Sequence, residues 1–317
     1  MKPRFDEERS KWLQCLTGND RNSVRVQLQA MTWDLASFTI IGEAINLAPK
    51  TPKGSPQVSP LVYNLLQVGF YANLLISLRR LTDDGRGVVS LTRVLMDMKK
   101  KTSCFTRAAI LAAEGMPYEY EPIRRREQDL LNYAMTEGET VYGLGWEHIS
   151  DRHETIDRLT SVIAEERTPD DHVSKRVFTN LLGKVESCTK QVKKYAGSFV
   201  AHAAEKTSAH RIDAEQINLT HGELIKCHRT LCEVFNFTRC RLLGDGSGPM
   251  LAFPTYDHFA FIDRPLVAAS DVSKLRAKWG VLQEESFKIS GWGIAGYEEE
   301  FEEKSPPPPS PGVTLTG

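Results

Sequence analysis

Apolar residues recur at three- and four-residue intervals along most of the chain, the spacing that places them on one face of an α-helix. Over 22–47 these positions are Val26, Leu28, Met31, Leu35, Phe38, Ile41 and Ala44. Pro49, Pro52, Gly54, Pro56 and Pro60 break that period, and a second helix is predicted over 60–81. Residues 83–87 read as a turn and 91–101 as a short helix. Helical stretches are expected over 108–113, 124–135 and 146–166, separated by Pro117, Pro122, Gly138, Gly143 and Gly145. Thr168-Pro169-Asp170-Asp171 offers a capping hydroxyl, a proline for the first helical position and two acids for the positive end of the dipole. A long helix running past Ala204 is expected to begin there. Thr220 and Glu223 have the spacing of a reciprocal cap, ahead of a helix expected to stop at Gly244. Beyond it, 253–262 is expected to be extended and 270–279 to form a short helix.

Residues 61–78 carry no charge, but Asn64, Gln67, Asn73 and Ser77 lie among them and Arg79-Arg80 closes the run. A spanning helix needs about 20 mostly apolar residues. The amides and the length point instead to a buried helix at the centre of a bundle, and no membrane is expected.

The 317 residues are 26% charged and 41% apolar, with a formal net charge of −1. Those values exclude a histone-like polycation and a highly charged disordered chain. Glu298, Glu299, Glu300, Glu302 and Glu303 concentrate acid near the C-terminus, which leaves the remainder mildly basic. With the prolines of 305–311 they mark 298–317 as an acidic, proline-rich disordered tail. None of the six cysteines forms a C-x-x-C pair, and the charged first ten residues contain no secretory signal. Reduced thiols and a cytoplasmic location are expected.

No phosphate-binding loop, dinucleotide fingerprint, H-E-x-x-H or G-x-S-x-G is present. His148 and His153 are five apart, and His221 and His228 seven apart, without the further close ligands a zinc site needs. Neither a metal nor a cofactor is expected.

The stretch with most chemical content runs from Lys190 through Lys193, Lys194, Tyr195 and Ser198 to His202 and Ala203. It resembles the signature region of the HEPN superfamily of helical bundles, and within it the abortive-infection AbiU branch, where a basic and aromatic helix end leads into Ala-His. Ser77-Leu78-Arg79-Arg80-Leu81-Thr82-Asp83 followed by Ser90-Leu91 is similar to a second part of that pattern, and Phe259–Pro265 is a third, shorter echo. The resemblance spans residues 22–280 in short pieces.

It implies a dimeric protein of phage-defence or toxin type that cleaves RNA without metal, with the ribose 2′-hydroxyl as nucleophile. It implies His202 as the group that moves the proton and an arginine, separated from it by four to six intervening residues, that steadies the phosphate. Here the corresponding positions are Tyr195, Ala196 and Gly197, none of them basic. Lys194 lies one position too early, about 80° away from the His202 face of a helix. Tyr195 and Ser198 share that face. Lys194, Arg79 and Arg80 are the cations that could stand in for the missing arginine. The alternative is a non-catalytic module of the same fold that binds RNA, a nucleotide or a protein.

Charge patterning favours a phosphate-bearing partner. Residues 76–107 hold eight basic and three acidic side chains, and residues 173–206 hold seven and two. The expected architecture is mainly α: an antiparallel HEPN-like bundle over 1–244 with a helical insertion at about 102–168. A C-terminal appendage over 245–297, packed on the bundle, and the tail complete it. The expected homodimer joins through the helices carrying Arg79 and His202.

Overall fold

The computed structural model describes residues 4–54, 56–137, 145–195, 220–246, 260, 262, 264 and 269–284. The fold is mainly α, and among the described residues there is no β-strand, only the bridges Lys50–Pro56 and Thr106–His172. The helices are α1 (Phe5–Thr17), α2 (Val24–Leu47), α3 (Pro60–Leu81), α4 (Leu91–Lys100), α5 (Arg107–Ala113), α6 (Glu121–Glu137), α7 (Gly145–Thr160), α8 (Lys175–Tyr195) and α9 (His221–Asn236). A π-helical turn, Phe237–Leu242, continues α9. The chain divides into two units, Met1–Phe253 and Pro254–Gly317. In the second, a helix over 272–284 follows the single turn Ala269–Asp271, with Leu275 and Trp279 exposed.

Local chemistry sets most helix starts. Ser90 Oγ accepts from the Arg93 amide at 3.0 Å, and Thr106 Oγ1 from the Ala109 amide at 3.3 Å. Thr220 and Glu223 cap each other reciprocally, and Pro60 occupies the first turn of α3. In the first unit, α4 packs on α8, α8 on α9, and α2 on both α3 and α9. Leu28, Leu74, Leu78, Leu95, Leu231 and Phe235 are fully buried in the core this creates. At one end Phe105 stacks on Trp12 with ring centroids 4.9 Å apart and meets Phe5 and Phe178 edge-on. Each such side chain contributes about 1.5–3 kcal/mol through burial.

The structure departs from the sequence reading in four places. α1 is a helix that the periodicity argument did not propose; it buries Phe5, Trp12 and Leu16. α8 starts at Lys175, not at Thr168. Asp171 instead turns back on Thr168, accepting from its amide at 2.9 Å and its hydroxyl at 2.6 Å, and also receives Arg107 Nε at 3.0 Å. A capping sequence has thus been recruited into a turn by a distant arginine. α7 ends at Thr160, because Ser161 takes the left-handed conformation at φ 63°. Finally, α3 is only half a core helix: Phe70, Leu74, Leu75, Leu78 and Leu81 are buried, whereas Leu61, Leu65 and Val68 are exposed. Among the described residues it is the one helix long and apolar enough to cross a membrane, and 22% of that stretch is buried.

The segment from α5 to the start of α8 leaves and returns at one place. The Val173 amide donates to the Phe105 carbonyl at 3.1 Å, and the Arg107 and Ala108 amides donate to the Asp171 and Pro169 carbonyls at 2.7 and 3.0 Å.

Candidate functional site

Of the residues singled out from sequence, His202 and Ser198 lie outside the described residues. Lys194 and Tyr195 are backbone positions in the last turn of α8, and their side chains also fall outside the described set. Arg79 and Arg80 form the last turn of α3, where two cations complement the negative end of the helix dipole. Both are exposed, and Arg80 Nη2 donates to Asn22 Oδ1 at 3.0 Å. α8 packs against both α3 and α4, so the described parts of the two basic segments adjoin.

A groove of about 570 Å³ lies between α7, α8 and the junction of α9 with its π turn. Its volume is that of a site for a small molecule or a few nucleotides. Leu159, Leu181 and Val234 line it with apolar surface and Phe237 adds an aromatic ring. Arg158, Lys184 and Arg241 bring three exposed cations to it. The one acid in the lining, Glu233, is paired with Arg229 at 3.1 Å, so the balance of the groove is positive.

The π turn shapes one wall. The Thr238 hydroxyl donates to the Val234 carbonyl at 2.7 Å, and the Leu243 amide reaches five residues back to the Thr238 carbonyl at 3.2 Å. The turn ends at Gly244, whose φ of +61° suits glycine, and a Cβ there would run into the Glu114 carboxylate. That carboxylate grips Arg152 through Nε and Nη2, and Arg152 Nη1 donates to the Arg241 carbonyl at 2.9 Å. Arg241 is thus held by its backbone while its side chain stays at the groove.

A second arginine underpins α7 from inside. Arg107 is 0% exposed and spends its donors on Asp171, on Asp157 Oδ1 at 2.8 Å and on the His153 carbonyl at 3.2 Å. Arg167 clasps the same Asp157 from outside, with Nη2 at 2.6 Å from Oδ2. Burial works to raise the Asp157 pKa, but the hydrogen bonds from Arg167 and Arg107 prevail and hold it below the ordinary carboxylate range. Burial, reinforced by the Arg107 and Arg167 charges, depresses the pKa of His153.

Among the described residues His153 and His228 are the buried histidines, and each is tied to a backbone carbonyl. His153 Nε2 lies 3.2 Å from the Tyr118 carbonyl; His228 Nε2 sits 3.0 Å from Thr32 Oγ1 and 3.3 Å from the Leu28 carbonyl, its pKa lowered by burial. None of the six cysteines is in a disulfide, and burial raises the thiols of Cys104 to about 11 and Cys232 to about 12, away from nucleophilic thiolate. Among the described residues no cluster of three or more His, Cys, Asp or Glu side chains could hold a metal ion.

Sequence reasoning missed the groove because three separate helices supply its walls. One signal was present: Phe235 and Phe237 stand two apart in a helix, so they cannot share a face. Phe235 is in the core, and Phe237 is the one left for the groove. No protein-family model, curated protein or solved structure matches this chain.

Proposed function

We propose that this chain is a HEPN-like protein of phage-defence or toxin type that engages RNA in the α7–α8–α9 groove, with metal-independent cleavage by His202 as its chemistry. The observation that carries the reading is the pairing of Phe237 with Arg158, Lys184 and Arg241 around one groove. Aromatic rings stack exposed bases and cations follow the phosphates, the combination that suits single-stranded RNA. The exposed Arg79 and Arg80 at the end of α3 add further positive charge to the bundle, and the sequence of α8 closes on Lys193, Lys194 and Tyr195 and continues to His202.

In this mechanism His202 takes the proton of the ribose 2′-hydroxyl as that oxygen attacks the adjacent phosphorus, and the leaving 5′-oxygen is protonated in turn. Ala196 stands where the phosphate-clamping arginine falls in the family pattern, so the clamp passes to Lys194, Arg79 or Arg80. Loss of one preorganised donor costs on the order of 10²–10³ in rate, and an ammonium lacks the bidentate fork of a guanidinium. A slow enzyme follows. The same alanine favours a second reading, a non-catalytic RNA-binding module.

The test is incubation of purified wild type, His202→Ala and Ala196→Arg with total RNA, with and without EDTA, beside binding to a fluorescent oligoribonucleotide. Cleavage is expected to vanish in His202→Ala, rise in Ala196→Arg and ignore EDTA, and Lys184→Glu with Arg241→Glu is expected to weaken binding at least tenfold. Cleavage that survives His202→Ala or needs a metal overturns the mechanism. Binding without cleavage in both wild type and Ala196→Arg selects the module. Absence of binding rejects both.

A further inference from the structure

A second groove, of about 250 Å³, lies between α2 and α3. Trp33 and Phe38 come to it from α2 and Phe70 from α3, and the Phe38 and Phe70 rings stack with centroids 3.9 Å apart. Asp34 is half-buried and is the one charged residue in the lining. A carboxylate set among aromatic and aliphatic side chains is costly unless its charge is compensated.

The chain itself compensates little. Asn73 Nδ2 donates to Asp34 Oδ2 at 3.3 Å, and among the described residues no Lys or Arg pairs with that carboxylate. The reason is in the sequence: α2 has no basic residue after Arg25, and α3 has none before Arg79. His221 touches Phe38 and Phe70, with ring centroids 5.5 and 5.8 Å away, but it is not part of the lining. Burial raises the Asp34 pKa, against the opposing effect of the Asn73 hydrogen bond. The ionised carboxylate therefore gains from a cation brought to it from outside.

Gly69 is an independent sign that the groove is kept open. It lies in the lining and in the interior of α3, where glycine weakens a helix relative to alanine. Its backbone does not call for glycine, since its φ is not positive, and a Cβ built on it meets nothing within 4 Å. Neither backbone conformation nor packing within the chain accounts for the missing side chain. What its absence leaves is room in the groove wall.

We infer that the α2–α3 groove is a binding site for a small protonated organic amine, with the ammonium paired to Asp34 and the apolar body set against Trp33, Phe38 and Phe70. Charge selects the cation, because one carboxylate faces no basic group in the lining and aromatic rings also attract ammonium groups. Size selects a small molecule, because the volume equals that of about eight waters and falls short of the usual drug-sized pocket. The site shares no residue with the α7–α8–α9 groove, so the inference is independent of the RNA reading.

Ligand-observed NMR titration of the full chain at pH 7 tests it, with 2-phenylethylamine as the probe and 2-phenylethanol as its uncharged counterpart. The amine is expected to bind saturably at about 1 mM or tighter, and at least fivefold more tightly than the alcohol. Asp34→Asn keeps the shape and removes the charge, and is expected to bring the amine down to the level of the alcohol. Gly69→Leu is expected to abolish binding of both without lowering the melting temperature, since leucine has room there and is the better helix former. Lys184→Glu with Arg241→Glu is expected to leave amine binding unchanged, which separates this site from the RNA groove. An amine that does not saturate overturns the inference, as do equal binding of amine and alcohol and amine binding indifferent to Asp34→Asn or to Gly69→Leu. Loss of amine binding in the Lys184 and Arg241 double variant would place the site in the other groove and overturn it as well.

Discussion

Arg107 shows how much of this fold hangs on single side chains. A guanidinium at 0% exposure is tolerable only because two carboxylates and a carbonyl receive it. Removing it leaves Asp157 with Arg167 as its remaining cation and Asp171 with the Thr168 amide and hydroxyl. Arg107→Met keeps much of the volume and discards the charge, and is expected to cost about 3–5 kcal/mol, the usual effect of breaking a buried pair from one side. A fall in the urea midpoint checks it; a change below about 1 kcal/mol would mean that the ion cluster contributes little beyond packing. Nothing in the sequence flagged Arg107, because its acidic partners are 50 and 64 residues away.

At the scale of elements, chemistry confined to a few neighbouring residues was legible and chemistry that depends on distant ones was not. Thr220 and Glu223 read as a cap and are one, since both partners lie within one turn. Thr220→Ala is accordingly expected to cost about 1 kcal/mol, seen as a lower melting temperature, and Thr220→Ser to restore it. Thr168 to Asp171 looked equally like a cap, but Asp171 serves both Thr168 and the distant Arg107 in a turn, and the helix starts only at Lys175. Helix α3 was legible in extent and illegible in environment: its composition says that two faces avoid water, and only the packing of α2 and α8 says which one the bundle covers. The groove was less legible still, since Arg158, Lys184 and Arg241 lie on three different elements. The stretch that resembles the HEPN signature runs from Lys190 to Ala203, and its part from 196 on, His202 included, lies outside the described residues, so its support remains the motif itself.

For the whole molecule, the buried titratable groups set an acid response in two stages. His153 and His228 have pKa values depressed in the folded state. The unfolded chain protonates its histidines near pH 6.5 while the folded one resists, so stability falls as pH drops below about 6.5. Asp157 and Asp171 have lowered values, with Arg107 donating to both. Their contribution is complete above the ordinary carboxylate pKa of about 4 and is lost as pH falls through their folded values. Urea midpoints are therefore expected to decline from pH 7.5 to 5.5 and again below about pH 4. An unchanged midpoint between pH 7.5 and 5.5 would contradict the first stage. The bridge between Thr106 and His172 has a consequence of a different kind. Main-chain pairing closes the excursion between α4 and α8 at its base, and main-chain pairing is blind to side-chain identity. Insertions and deletions in the outer part of that excursion can accumulate without shifting the register of α4 against α8. Over evolutionary time α6 and its flanks are where length is free to drift, while the two basic helices behind them keep their places.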